Sequence, residues 1–591
     1  MTADSPRVEQ PSTRPLFLPL AAALLLASFG WLPHVRSNAA LAASVTGASV
    51  MLMAWWLLLW FRGRAVKFEV ALRPSHYMQT ITQLSIFIYW GIYWPPMREA
   101  AALIAAQVVF AFAFDMLLSW TRRDTHTLGF GPIPIVFSIN LFLRFHDDWF
   151  YLQFVIIAVG FLAKELIRWN KNGRRVHIFN PSSFPLALAS LVLIATNTAH
   201  LTWGEDLALQ LFLPPQIFFF LFLVSLPGQF RFGVTTMSLA AIVTTYGFGM
   251  AYLAATGTYF FIDDYIPIAA FLGMLLLFTD PSTAPATELG RILYGVIYGV
   301  CVVGLYALLD RMGLPTFYDK LLQVPLMNLS VQAIDRAARS KTLAWMDPAR
   351  IGRGLPPMRR HLVYTSVWVV VFSAMAYAGG LGDHHPGHSV RFWQRACEDG
   401  RSRGCEILGR IEVRYCAQGS GWACNEAGIL MSEGRLPNNT HAAEAFTRAC
   451  DLGFAAGCEN GRRQAADPLH HGAPTTQDYA LLLREGKGAL PETTPQQLLT
   501  LACQQGWTTA CEDLAGGQSR SGAESNDRTR AIALLQQICN SGDGGSCSSL
   551  GFMYSRGEGV SRDEVKARAL LKRACDLGAA DACRWLATQG R

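Results

Sequence analysis

The first 382 residues contain a series of apolar runs, each close to the length that an α-helix needs to cross a hydrocarbon core of about 30 Å. This feature limits the possible folds more than any other, because a chain within a bilayer must satisfy its backbone hydrogen bonds internally. The runs lie at 16–34, 39–61, 78–95, 100–120, 130–145, 149–169, 178–197, 208–227, 233–256, 264–279, 290–309 and 362–382. They predict a polytopic membrane bundle built from helices.

The composition of the chain changes sharply near residue 389. Of the 35 Phe residues, 31 precede it, whereas 12 of the 13 Cys residues follow it. The sequence therefore predicts a membrane half and a Cys-rich half, both all-α. The net charge of +7 comes mostly from 310–360, which holds nine Lys or Arg against four Asp. Such a local excess indicates membrane topology, and it gives no support to nucleic-acid binding.

Short basic loops set the predicted orientation, because they stay in the cytoplasm. Basic clusters follow the second, fourth and sixth runs, at 62–67, 122–123 and 168–175. We therefore expect residues 1–15 to form a cytoplasmic tail that precedes a membrane domain over 16–309. The basic segment 310–361 should also be cytoplasmic, with an amphipathic helix on the inner membrane surface. This arrangement requires an even number of crossings between 175 and 310, so one of the five runs there, 178–197 or 264–279, does not cross.

Both of these runs adjoin a polar motif at the predicted start of a helix. The motifs are His177-Ile-Phe-Asn180-Pro-Ser-Ser183 and Thr279-Asp280-Pro-Ser-Thr283. A Pro in the first turn costs no hydrogen bond, and a helix start exposes N–H groups that suit a phosphate or the edge of a flavin ring. The alternative is that both motifs only cap membrane helices. The candidate cofactor-binding residues are His177, Asn180, Ser182, Ser183, Thr279, Asp280, Ser282 and Thr283. No catalytic residue and no metal site is predicted, and Lys164 is expected to snorkel towards the membrane surface.

The order of three motifs resembles the RnfD/NqrB membrane subunits, and most of all their UnbU-type relatives, over roughly 75–309. These motifs are Leu-Phe-Leu-Arg144, His177-Ile-Phe-Asn-Pro, and Phe278-Thr-Asp-Pro-Ser-Thr-Ala-Pro before Gly290-Arg. The resemblance implies inverted repeats with broken helices, a bound flavin (FMN or riboflavin), and a redox role beside other electron-transfer subunits rather than a self-sufficient enzyme. The attachment sequence of covalent FMN is absent, so we expect noncovalent flavin. Two other functions stay open: a small-molecule or ion transporter or channel with a periplasmic adaptor, and an envelope scaffold.

The Cys residues after 389 form six pairs that share the pattern C-x-x-G-x-x-x-[AGS]-C. The pairs are Cys397 with Cys405, Cys416 with Cys424, Cys450 with Cys458, Cys503 with Cys511, Cys539 with Cys547, and Cys575 with Cys583. Eight residues of one helix would separate the Cα atoms by about 12 Å, whereas a disulfide needs roughly 4.4–6.8 Å. The Gly allows the helix to end and the chain to turn back. Each pair is thus predicted to join a helix-turn-helix, and Cys301 should stay free.

Successive pairs start 36 residues apart in the last two intervals, which is typical of a solenoid. The segment from Cys547 to Cys575 resembles the disulfide-linked Sel-one-like repeat, a relative of the tetratricopeptide repeat, and the resemblance covers 389–591. It implies an α-solenoid that binds a periplasmic protein or a cell-wall ligand. Disulfides at this density need an oxidising compartment. We therefore expect a bacterial inner-membrane protein with 362–382 as its last transmembrane helix and 389–591 in the periplasm.

Overall fold

The chain forms two compact units, residues 1–248 with 266–378 and residues 249–265 with 379–591. The structure is a computed structural model that describes residues 17–466 and 532–586. Short gaps within these ranges lie at 64–65, 124, 172, 213, 263, 352–353, 379–380, 382–384, 386, 388–389, 402, 418–420, 437–441, 453–454, 534, 537–538, 541–543, 558–559, 577–581 and 584. The second unit includes a segment from the middle of the apolar half.

The apolar half is mostly helical. Its helices are α1 (Leu18–Ser28), α2 (Pro33–Ser37), α3 (Ala39–Phe61), α4 (Pro74–Tyr93), α5 (Pro95–Glu99), α6 (Ala101–Arg122), α7 (Pro132–Phe142), α8 (Tyr151–Leu166), α9 (Ser183–Ala195), α10 (Gly204–Gln210), α11 (Ile217–Phe232), α12 (Thr235–Thr256), α13 (Ile268–Leu272), α14 (Glu288–Arg311), α15 (Asp319–Leu322), α16 (Val324–Ala338), α17 (Pro348–Ile351) and α18 (Pro357–Tyr377). A π-helical turn, Gly273–Leu277, continues α13.

Among the described residues, four helical segments are long and apolar enough to cross a membrane: α3, α5 with α6, α12 and α14. Other predicted runs contain shorter apolar helices, namely Leu18–Trp31, Pro132–Phe142, Ser183–Ala195, Ile217–Phe232 and Ile268–Leu277. The last of these would extend about 15 Å, half of the hydrocarbon core. The two runs that the charge pattern marks as broken, 178–197 and 264–279, are thus both short helices. Which of them fails to cross stays a prediction.

The apolar half also contains four short strands, so the expectation of an all-α fold is wrong in this detail. Strand β1 (Lys67–Val70) pairs in parallel with β2 (Thr125–Leu128). Strands β3 (Arg168–Lys171) and β4 (Arg174–His177) form an antiparallel hairpin. Gly173 lies in this turn with φ of +78°, a conformation that Gly adopts without strain. The hairpin fixes His177 at the end of β4, immediately before the first polar motif.

Segment 310–361 forms the predicted amphipathic helix as α16, but one face of this helix is buried within the first unit. Asn328 is buried and donates a hydrogen bond of 3.0 Å to the Tyr294 hydroxyl on α14. Asp335 accepts hydrogen bonds from the backbone N–H groups of Ala286 and Thr287 at 2.9 and 3.2 Å. Helix α16 therefore anchors the end of the second polar motif. The cytoplasmic location of the segment stays a prediction.

The second unit consists of helix pairs joined by disulfides. Its described helices are α19 (Val390–Glu398), α20 (Gly404–Ala417), α21 (Gly421–Ser432), α22 (Ala442–Asp451), α23 (Ala455–Ala466), α24 (Gly544–Arg556) and α25 (Glu564–Asp576). Five predicted disulfides are present, with Cα separations of 4.3–4.7 Å, at Cys397–Cys405, Cys416–Cys424, Cys450–Cys458, Cys539–Cys547 and Cys575–Cys583. Cys301 is free, as predicted.

The sixth predicted disulfide joins Cys503 with Cys511. Both Cys503 and Cys511 lie outside the described residues, in the segment between 466 and 532. The pairing of Cys511 with Cys503 therefore stays a prediction, which depends on the shared spacing and on the Gly at position 506.

The Gly and the small residue of the Cys pattern have the predicted roles in the first pair. Gly400 has φ of +65°, and its N–H donates to the carbonyl oxygen of Cys397 at 3.1 Å, which ends α19. A Cβ atom at Gly404 would lie 2.6 Å from the backbone of Ala396. Only Gly permits this close approach, and it brings the two Cys residues within disulfide distance.

Candidate functional site

The two polar motifs meet in the first unit. The side-chain amide of Asn180 donates to the carbonyl oxygen of Leu277, at the end of the π-helical turn, over 3.0 Å. The imidazole Nε2 of His177 lies 3.5 Å from the carboxylate of Asp280. The ammonium of Lys171 donates to the carbonyl oxygens of Ser282 and Ala284 at 3.3 and 2.7 Å. Residues a hundred positions apart in the sequence thus form one polar cluster.

Asn180 itself caps the start of α9. Its Oδ1 atom accepts from the backbone N–H groups of Ser182 and Ser183 at 2.9 and 3.2 Å, and from the Ser182 hydroxyl at 2.7 Å. The backbone N–H groups at this helix start, which the sequence predicts to be available to a phosphate, therefore already donate hydrogen bonds to Asn180. The reason is that an Asn side chain can satisfy the amides that follow it in the chain. A ligand here would have to bind side chains instead.

Asp280 likewise accepts hydrogen bonds from the backbone N–H groups that follow it in the chain. Its Oδ1 atom accepts from the backbone N–H of Ser282 at 3.0 Å, and the N–H of Thr283 donates to its carbonyl oxygen at 3.2 Å. Burial opposes ionisation, but the hydrogen bond and charge of His177 and the amide of Ser282 outweigh it and hold the pKa of the Asp280 carboxyl below its usual value. Asp280 is thus a carboxylate that lies beside the His177 imidazole.

A cavity of about 250 Å³ lies beside both motifs. Of the predicted site residues, it is lined by His177, Asn180, Ser182, Asp280 and Ser282. The other three do not line this cavity: Ser183 and Thr283 are buried, and Thr279 borders a smaller cavity. Five of the eight predicted residues therefore line one cavity.

Sequence reasoning missed several polar residues that line the same cavity: Ser75, His76, Gln79, Ser138 and Lys164. Within the described part of the chain, no carboxylate lies within ion-pair distance of the Lys164 ammonium, which lies 5.7 Å from the centre of the Phe161 ring. The neighbouring Glu165 pairs instead with Arg123 and, at 2.7 Å, with Arg168. The Pro74-Ser75-His76 sequence at the start of α4 repeats the Pro-plus-polar pattern and could have revealed His76. The cavity thus contains an ammonium without an ion-pair partner, the Asp280 carboxylate and two imidazoles, and the end beside Lys164 suits an anionic group.

Comparisons with known proteins found one matching family and matching solved structures. A solved structure, the crystal structure of c5321, a protective antigen present in uropathogenic Escherichia coli strains and displaying an SLR fold, is 16% identical. The match covers 67% of this chain and 80% of that chain, with a TM-score of 0.18. No curated protein matches the chain. The Sel1 repeat family matches residues 511–543, which begin at Cys511, and 545–578. The C-terminal region therefore contains Sel1 repeats with disulfide-linked helix pairs, a class of repeat that typically mediates protein–protein interactions.

Proposed function

We propose that the chain is an inner-membrane subunit of a flavin-linked electron-transfer system, with a periplasmic repeat domain that recruits a protein partner. The observation that supports this proposal most is the 250 Å³ cavity between the two motifs, bordered by Lys164, His76 and His177. Small-molecule sites are concave and combine apolar walls with a few convergent polar groups. Phe232 and Leu276 provide apolar walls here.

The residues around the cavity fit a flavin that carries a phosphate. Lys164 and the imidazole of His76 can donate to phosphate oxygens, and a charge-assisted hydrogen bond of this kind is about twice as strong as a neutral one. Ser75, Ser182 and Ser282 offer hydroxyl groups to the ring edge or to the side chain of the flavin. A bound flavin would supply one-electron and two-electron transfer. The flavin would be noncovalent, because the attachment sequence is absent.

The repeat domain would supply the partner-binding surface. Its disulfides require an oxidising compartment, which in a bacterium is the periplasm. The partner would be another electron-transfer subunit, a further periplasmic protein or a cell-wall ligand. The N-terminus would then be cytoplasmic, and 362–382 would carry the chain outwards.

The visible absorbance spectrum of the detergent-purified protein tests the flavin proposal. We expect flavin bands that disappear from the protein fraction after denaturation and filtration, because the cofactor is noncovalent. The variant Lys164→Met should weaken FMN binding by about tenfold, the loss of one hydrogen bond to a charged group. Lys341→Met, which removes an exposed Lys from the same unit, is the matched control. A protein without flavin that also fails to bind added FMN would contradict the proposal.

Transport is the second candidate, and the short helices α9 and α13 favour it. Helices that end at polar residues within a membrane unit are common beside the substrate sites of transporters. Flux of a small molecule or an ion through vesicles that contain the purified, flavin-free protein would favour transport over electron transfer.

A further inference from the structure

A second, smaller cavity of about 20 Å³ adjoins the larger one. The two cavities share three lining residues, Gln79, Phe232 and Leu276. The volume is enough for one group the size of a water molecule. Within the described part of the chain, two side-chain oxygens at this cavity, Gln83 Oε1 and Gln229 Oε1, are buried and receive no hydrogen bond.

Each of five polar side chains around the small cavity already donates one hydrogen bond. The hydroxyls of Thr82, Ser225 and Thr279 donate to main-chain carbonyl oxygens at 3.0, 3.0 and 2.9 Å. The amide nitrogens of Gln83 and Gln229 donate to the hydroxyl oxygens of Ser138 and Ser225 at 2.7 and 3.3 Å. The hydroxyls have no further hydrogen to donate and each amide has one left, whereas the side-chain oxygens of Gln83 and Gln229 receive no hydrogen bond within the described part of the chain.

Two buried acceptors without donors are costly, at about 1–3 kcal/mol each. Such a cost persists in a folded protein when a donor that binds later offsets it. A hydroxyl group can donate to one of the two oxygens, and an amino group has hydrogens for both. An acceptor group such as a carbonyl or a phosphate would satisfy neither oxygen.

We propose that the small cavity is a subsite for the ligand of the larger cavity and binds a hydroxyl or amino group of that ligand between Gln83 and Gln229. The full ligand is then anionic at one end, beside Lys164, and rich in hydrogen-bond donors at the other, as a polyol phosphate is. The inference rests on the proposed function, since it concerns the same ligand and names the residues that bind the polar chain of that ligand.

Three probes of decreasing polarity test the subsite in the full-length protein: FMN, riboflavin, which lacks the phosphate, and lumichrome, which lacks the whole polyol chain. The variants Gln83→Met and Gln229→Met remove the acceptor at similar volume, and Gln332→Met, away from both cavities, is the control. We expect each acceptor variant to weaken FMN and riboflavin by about tenfold and to leave lumichrome unchanged. Lys164→Met should weaken only FMN.

The outcomes separate the subsite from the proposed function. If Lys164→Met weakens FMN but neither acceptor variant weakens FMN or riboflavin, the flavin proposal stands and the subsite is wrong. If no probe binds, the flavin proposal is wrong, and the density in a cryo-EM map of the purified protein decides the subsite. Density that continues from the large cavity to a point between Gln83 and Gln229 supports the subsite. An isolated feature the size of one water, or an empty cavity, overturns it.

Discussion

The repeat region and the apolar half are each stabilised by internal contacts, and these contacts differ in how far apart their residues lie in the sequence. In the repeat region, each described disulfide joins residues only eight positions apart. In the apolar half, buried polar side chains connect helices far apart in the sequence, as where the Thr82 hydroxyl on α4 donates to the Val224 carbonyl oxygen on α11, 142 positions away, at 3.0 Å. Loss of a local bond should therefore loosen one repeat. Loss of a long-range polar contact leaves a buried partner unsatisfied and should affect the whole bundle.

The largest effect is expected at a buried ion pair in the apolar half, which joins neighbouring residues but packs against α14, where the Tyr298 hydroxyl donates to the Lys320 carbonyl oxygen at 3.1 Å. The ammonium of Lys320 lies 2.9 Å from the carboxylate of Asp319, and both side chains are nearly inaccessible to solvent. Asp319→Ala would leave the Lys320 charge without its partner and should destabilise the bundle by about 3–5 kcal/mol. Loss of the monodisperse peak on heating in detergent measures this change.

A double variant separates the unpaired charge from general damage at the same site. Asp319→Ala combined with Lys320→Met removes both charges, and it should recover most of the lost thermal stability. If Asp319→Ala alone is as stable as the wild type, the ion pair does not stabilise the apolar half, and its loss is not more costly than the loss of a disulfide.

A second prediction tests whether residues 249–265 fold with the repeats. The ring of Tyr259 lies 4.8 Å from that of Phe392 and 4.2 Å from that of His385, within the core that contains Trp393. Tyr259→Ala should cost about 3 kcal/mol, because it opens a cavity in a packed aromatic core. Proteolysis of the repeat region in spheroplasts should then become faster.

Tyr377→Ala is the control for this experiment, because the Tyr377 side chain is exposed. Unchanged proteolysis in Tyr259→Ala would show that the repeats fold without the 249–265 segment. The stability of the repeat region would then not depend on this segment of the apolar half.

A third prediction concerns one disulfide. Replacing both Cys539 and Cys547 with Ser opens a short loop and should cost about 2–3 kcal/mol. Because each repeat packs mainly on its neighbours, hydrogen exchange should rise in α24 and α25 and stay unchanged in the apolar half. Cys301→Ser, which removes the free Cys, should leave hydrogen exchange unchanged both in α24 and α25 and in the apolar half. A rise in exchange throughout both units would contradict the local character of these bonds.

The range of the bonds also explains what the sequence could predict. Five disulfide pairings were predictable because nine neighbouring residues determine each one. The partners of Asn180 were not, since they lie 97 and 148 positions away. The expectation that the backbone N–H groups at the start of α9 are free was wrong, because the Asn180 side chain accepts hydrogen bonds from them. A local pattern could have indicated His76, but Lys164 reaches the cavity through tertiary packing that no local pattern indicates.

The smallest effect is expected at a buried carboxyl group of the repeat region. Glu412 on α20 and Glu426 on α21 are both buried. Among the described residues, none donates a hydrogen bond to the Oε2 atom of Glu412, while Asn425 donates to Glu426 at 3.2 Å. Burial, and then the charge of Glu426, raises the pKa of the Glu412 carboxyl well above its usual value. In the folded protein, Glu412 thus favours its protonated form.

The sign of the pH dependence follows from this shift. A carboxyl whose pKa is higher in the folded than in the unfolded state destabilises the fold as pH rises above the unfolded value, about 4.3. Glu412→Gln keeps the shape and cannot ionise, so it should raise stability at pH 8 by about 1 kcal/mol, or about 2–4 °C in melting temperature, with no gain near pH 4. The exposed Glu564, changed to Gln, is the control. Thermal unfolding of the full-length protein at the two pH values measures the difference, and an equal effect at both would mean that Glu412 does not titrate in the fold.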